Sequence, residues 1–140
     1  MRRRHKARRW ALQILYAWEA RGRSEELRDT ARDFFDRRRV APETRAFAER
    51  LVDAIAENSD EIDSILATGA ENWQLGRLSI IDRNILRIAL AEFLHLEDVP
   101  FRVSIDEAIT LAGRYGGTDS PRFVNGVLDA LAHRLDLIPS

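Results

Sequence analysis

Cysteine is absent from this sequence, which excludes disulfides, thiolate zinc sites and cysteine nucleophiles together. Glycine and proline are scarce, at seven and four, and no run of alternating β-branched residues reaches strand length. Strands are therefore not expected. Apolar runs stop after a few residues, too short to span a membrane. Arg8, Arg9, Gln13 and Glu19 interrupt whatever apolar segment follows the basic N-terminus, so it does not read as a signal peptide. A soluble cytoplasmic protein is the expectation. Lysine is nearly missing as well, since the 22 basic side chains are 21 arginines and one lysine. Arginine forks bind phosphate bidentately and stack on bases. A G+C-rich coding sequence also raises arginine, so the bias alone does not identify a nucleic-acid binder.

What is present is a core and a polarised charge. A chain of 140 residues, 45% hydrophobic and 32% charged, fits one domain or two small subdomains sharing a core. The formal net charge is −1, yet the first ten residues hold six basic side chains and no acid. Residues 11–140 then carry 16 basic against 23 acidic side chains, a balance of −7. Composition does not explain that clustering. A cationic end on a near-neutral protein suits a phosphate backbone.

The helical period repeats throughout, which predicts an all-α fold. A first helix is expected over residues 3–20, ending at Arg21-Gly22. A second starts near Ser24, with Glu25 and Glu26 in its first turn, and ends in Arg37-Arg38-Arg39. Pro42 opens a third, and Ser59-Asp-Glu offers a restart. Residues 69–76 form the seam between an N-terminal half (1–70) and a C-terminal half (73–140). Ser79 then caps a long helix to about residue 96. Its apolar residues occupy nearly the whole circumference, as expected of a buried central helix. Ser104-Ile-Asp-Glu107 reads as the capping box of the next helix. Ser120 followed by Pro121 reads as the N-cap and first residue of the last.

At about 100° per residue, Ala7, Trp10, Ala11, Ile14 and Trp18 share one inward face of the first helix. Arg9 and Tyr16 fall opposite, flanked by His5, Leu12 and Gln13, as a solvated back or an interaction surface. In the last helix Phe123 stands beside Arg122 at the edge of the core face. It is either core or a platform on which a base could stack. Asn125-Gly126 is unusual inside a helix, where Gly costs about 1 kcal/mol against Ala, and such a Gly usually admits a close backbone. Asp82, the fourth residue of Ser79-Ile-Ile-Asp82, is either part of a cap or a carboxylate offered to a partner's arginine.

No catalytic constellation emerges. His5, His95 and His133 have no metal-like spacing, and Gly113 through Gly117 lacks the phosphate-binding glycine patterns. Acid pairs such as Glu25-Glu26, Asp60-Glu61 and Asp106-Glu107 sit in helix first turns, where the dipole accounts for them. Neither an enzyme nor a cofactor is expected.

Four stretches line up with one family. Ala7-Arg-Arg-Trp-Ala-Leu-Gln-Ile-Leu-Tyr16, Ile81-Asp-Arg-Asn-Ile-Leu-Arg-Ile-Ala-Leu-Ala-Glu92, Val103-Ser-Ile-Asp-Glu-Ala-Ile-Thr-Leu-Ala112 and Asp119-Ser-Pro-Arg-Phe-Val-Asn-Gly-Val-Leu-Asp129 resemble the NusB family of transcription antitermination factors. The resemblance runs in order along the chain, weakest over residues 21–75, and Asn72-Trp73 fits the start of the second half. It implies two three-helix bundles and no enzyme activity. It also implies binding of the boxA element of ribosomal RNA leader transcripts together with NusE, a small-subunit ribosomal protein. The pair would join RNA polymerase with other Nus factors and support ribosomal RNA transcription and maturation. Carried over by position, Arg2, Arg3, Arg4, Lys6, Arg8 and Arg9 would hold RNA phosphates, with Asp119, Ser120, Arg122, Phe123 and Asn125 nearby. Tyr16 and Asp82 match partner-facing positions, and Leu12 borders them. Arg9, Trp10 and Pro121 depart from the family pattern, which leaves the RNA path over Arg9 and Pro121 open. Two alternatives remain: the RNA-binding domain of a ribosomal RNA cytosine methyltransferase, or a helical module that self-associates through Leu12 and Tyr16. Some members of the family dimerise, so the sequence does not decide between monomer and homodimer.

Overall fold

A computed structural model describes residues 2–69 and 78–137; the side chain of Arg2, and the seam with Asn72 and Trp73, lie outside the described residues. The described residues form seven helices: α1 Arg2–Ala20, α2 Leu27–Asp36, α3 Pro42–Glu57, α4 Ser59–Gly69, α5 Ile80–His95, α6 Phe101–Tyr115 and α7 Ser120–Arg134. They share one continuous core that includes residues from every helix. The fold is all-α, as the periodicity predicts.

Helix α1 buries Ala7, Ala11, Ile14 and Leu15 completely. It ends in a Schellman motif, in which Gly22 donates to Glu19 O (2.9 Å) and Arg23 donates to Trp18 O (3.0 Å). Gly22 takes φ +74°, the left-handed turn that glycine adopts without strain. Helix α2 begins at Leu27 rather than near Ser24, because Glu26 is still extended (ψ 139°). Glu25 and Glu26 thus precede the first turn instead of filling it. Asn58 closes α3, and Ser59 opens α4 as a separate helix.

Helix α5 is the hub, packed against α1, α3, α4, α6 and α7. Every residue from Asn84 through Glu92 is buried. At its start the Ser79 hydroxyl accepts the Asp82 backbone N–H at 3.0 Å, as the sequence predicts. The burial includes two charges that the apolar pattern hides, Arg87 and Glu92. Helix α6 corrects a predicted cap. It begins at Phe101 behind extended Pro100, so Ser104 lies in its second turn and donates its hydroxyl to Glu92 Oε1 at 2.7 Å. The start of α7 shifts by one residue in the same way. Asp119 is the N-cap residue, while the Ser120 hydroxyl accepts the Gly117 N–H (2.9 Å). A Cβ on Gly116 would lie 2.5 Å from Ser120 Oγ, so this turn requires glycine. Gly126 does not: among the described residues a Cβ there meets nothing of another element within 4 Å.

Candidate functional site

The five cations of the first ten residues whose side chains are described have different fates. Arg8 is 2% exposed and lies in the core. Its Nε and Nη2 each reach Glu92 at 2.8 Å, a fork-on-carboxylate pair completed by Ser104. Arg8 therefore ties α1 to α5 and α6 and is not a phosphate ligand, contrary to the sequence expectation. Arg3 pairs with Glu43, and Arg4 with Asp98 (2.8 Å). Asp98 also takes both terminal nitrogens of Arg50, and these two arginines hold its carboxyl well below the usual range, Arg50 more than Arg4. Arg4, Arg8 and Arg50 all stand over the Phe47 ring, their Cζ atoms 4.6, 5.3 and 5.4 Å from its centre. Lys6 is exposed and has no acidic partner among the described residues. Arg9 is half-buried, and its Nε is buried with no hydrogen-bond acceptor among the described residues. Exposed ion pairs such as those of Arg3 and Arg4 contribute only about 0–1 kcal/mol, so a phosphate can displace their acids.

One turn beyond Arg9 the same strip of α1 opens on a groove of about 360 Å³ lined by Leu12, Gln13, Tyr16, Phe34, Ile81 and Tyr115. Tyr16 is 46% exposed, the exposed large hydrophobic residue of the described chain. Leu12, placed on the outer face by the helical wheel, is 2% exposed and forms the floor. The wheel misplaces it because neighbouring helices cover that flank of α1, leaving Gln13 and Tyr16 at the surface. Arg114 stands on the rim over the Tyr115 ring (5.5 Å) with no acidic partner among the described residues. The sequence signal for it was available, since Arg114-Tyr115 repeats the Arg122-Phe123 pairing of a cation with an adjacent aromatic.

Asp82 takes part in the cap, as one sequence reading expects, and has a further role that neither reading contains. Its backbone N–H engages the Ser79 cap, while its Oδ2 accepts the Ser120 hydroxyl at 3.1 Å. The second oxygen, Oδ1, is buried without a partner among the described residues. A residue assigned to the protein partner and one assigned to RNA thus bind each other and tie α5 to α7. Ser120 spends its hydroxyl on Gly117 and Asp82 and is buried, so it supports the α7 motif from within. Asp119, Arg122 and Asn125 are exposed, and Phe123 is half-buried against the core.

Helix directions place these groups relative to one another. Arg8 meets Glu92 while Glu19 meets Arg83 and Arg87, so α5 runs antiparallel to α1. Asp82 and the start of α7 are therefore level with the C-terminal part of α1. Arg4 and Tyr16 are 12 residues apart, or about 18 Å along the helix. The basic end and the α7 motif do not form one pocket; Arg9, Gln13 and Tyr16 make the strip between them.

The class defined by these features is an all-helical binding protein whose first helix presents cations and an aromatic groove side by side. The NusB family model matches residues 5–133, and the chain belongs to the NusB family. It is a transcription antitermination factor rather than an enzyme. It is 44% identical over 128 residues to the transcription antitermination protein NusB of Trichlorobacter lovleyi, covering 91% of this chain and 89% of that one. Against the 42% identical NusB of Chloroherpeton thalassium the chain spans 60% of the relative's length. Among solved structures, T. maritima NusB superposes with a TM-score of 0.86 and 38% identity, covering 93% of this chain and 90% of that one. Antitermination factors NusB and NusE solved in complex with double-stranded RNA give 0.84 and 29%, covering 96% and 98%.

Proposed function

We propose that this chain is a non-catalytic RNA-binding adaptor of the cytoplasm. It takes up boxA RNA of ribosomal RNA leader transcripts together with NusE, and the assembly joins RNA polymerase with other Nus factors. The observation that carries the reading is the division of α1's free surface. Cations without acids, Lys6 and Arg9, occupy its N-terminal part, and the Tyr16 groove its C-terminal part. Two unlike surfaces on one rigid helix suit a protein that holds an RNA and a protein at once. The solved NusB and NusE complex with RNA supports the same pairing of partners. Arg122 and Asn125 add exposed polar groups at the groove end, and the Asp82 and Ser120 tie keeps α7 in register with the groove. The reading is tested by titrating boxA RNA across a salt series, with and without NusE. Affinity that falls with salt and rises when NusE is present supports it; indifference to both overturns it.

A further inference from the structure

We propose that the turn joining α2 to α3, carrying Arg37, Arg38 and Arg39, is a second phosphate-binding strip that continues the basic surface of α1. Its placement follows from three contacts. Trp18 Nε1 donates to Glu25 O (2.8 Å) just before α2, and the Trp10 and Phe34 rings meet at 5.6 Å near its end. Helix α2 therefore runs antiparallel to α1 and points its C-terminal end at the basic N-terminus. The Arg3 pair with Glu43 pins the first turn of α3 to that same end. The turn lies between these anchors, beside the side of α1 where Arg3, Lys6 and Trp10 fall within about 60° of one another.

Its charges are available. Arg37, Arg38 and Arg39 are exposed and have no acidic partner among the described residues. The nearest acids are taken or out of reach: Asp36 lies 3.6 Å from Arg45, Glu43 holds Arg3, and Asp33 makes no ion pair with the turn. Most other arginines of the described chain are neutralised, as Arg28 is by Asp53 and Glu57, or Arg87 by Glu19 and Asp63. Arg38 is also positioned, its Nη1 donating to Phe34 O (3.0 Å) and its Cζ 3.6 Å from the Phe34 ring centre. A helix C-terminus favours cations through its dipole. That accounts for Arg38, which reaches a terminal carbonyl, but not for Arg37 and Arg39, whose side chains make no such bond. Three further cations beside Lys6 and Arg3 fit a polyanionic strand that lies across the α1 end rather than along it.

This inference rests on the RNA-binding reading, and its test separates the two. The probe is a single-stranded RNA of about 12 nucleotides, titrated by the full chain across a salt series. Each phosphate contact to a single strand contributes about 0.7 to the logarithmic salt slope. Arg37→Gln/Arg39→Gln should therefore shallow the slope by about 1.4, and Arg37→Lys/Arg39→Lys should restore it. An unchanged slope in the glutamine variant, with a shallower one in Lys6→Gln, overturns the strip and leaves the RNA reading standing. A glutamine variant that loses thermal stability while keeping the wild-type slope assigns both arginines to the helix dipole and overturns the strip. Loss of affinity for NusE with the RNA slope intact makes the turn a protein contact, which also overturns it. No salt-dependent binding by the wild type removes both readings together.

Discussion

Arg8 and Lys6 stand two positions apart in one basic run, and removing each should have opposite consequences. Arg8→Ala leaves the Glu92 carboxylate buried with only Ser104 as partner, a change that costs about 3–5 kcal/mol. Denaturant unfolding should record that loss, and an unchanged midpoint would contradict the buried pair. Lys6→Ala should leave the midpoint in place and shallow the salt dependence of RNA binding. The sequence could not separate the two, because a run of cations carries no mark of which one meets a buried acid 84 residues away. The glycines divide in the same way. Gly126→Ala should stabilise by about 1 kcal/mol, since its Cβ enters open space inside a helix. Gly116→Ala should destabilise, its Cβ landing on Ser120 and disturbing the bond to Asp82. Thermal or denaturant unfolding of the pair checks both signs. Gly126 looked like a close-approach site only because a helical glycine usually is one.

At the scale of elements, periodicity located the helices well and their starts less well. Ser79 was legible because nothing competes for its hydroxyl. Ser104 and Ser120 were misread because each hydroxyl serves another helix, bonding Glu92 and Asp82 respectively. Local pattern reports that a serine can cap; it does not report a better acceptor across the core. The same holds for Arg87 on α5, which looked continuous with an apolar helix. Its guanidinium pairs with Asp63 of α4 and Glu19 of α1, and Arg83 reaches Glu19 as well at 2.8 Å. The Glu19 side chain is 4% exposed, and burial alone would raise its pKa. The Arg83 and Arg87 guanidiniums outweigh that and lower it from 4.5 to about 2. A carboxyl with a depressed folded pKa contributes stability that is complete above its unfolded value and disappears as pH falls through the folded one. The α1 and α5 tie should therefore weaken between about pH 4.5 and 2. Urea unfolding at stepped pH should show a loss across this window that is smaller in Glu19→Gln; an identical pH profile in the variant would contradict the assignment.

For the whole molecule, the sequence made the family legible and left the layout of the surfaces open. The basic decapeptide and the Asp119 to Asp129 motif both point toward RNA. Only the antiparallel packing of α5 on α1 shows that they are separated along α1, with the Tyr16 groove between α1 and the start of α5. Leu12 became the groove floor and Ser120 a support, while Phe34, Ile81 and Tyr115 arrived from three other helices. Those lining residues had no signal in common, because they meet only after the helices pack. The central claim is that α1 holds RNA at its N-terminal part and a protein partner at its C-terminal part. Its most direct test is the salt dependence of boxA RNA binding by Tyr16→Ala, with and without NusE. The account predicts the wild-type salt slope in the absence of NusE and no gain in RNA affinity when NusE is added. A variant that keeps the full gain from NusE, or that loses its RNA slope without it, would contradict the division of labour along α1.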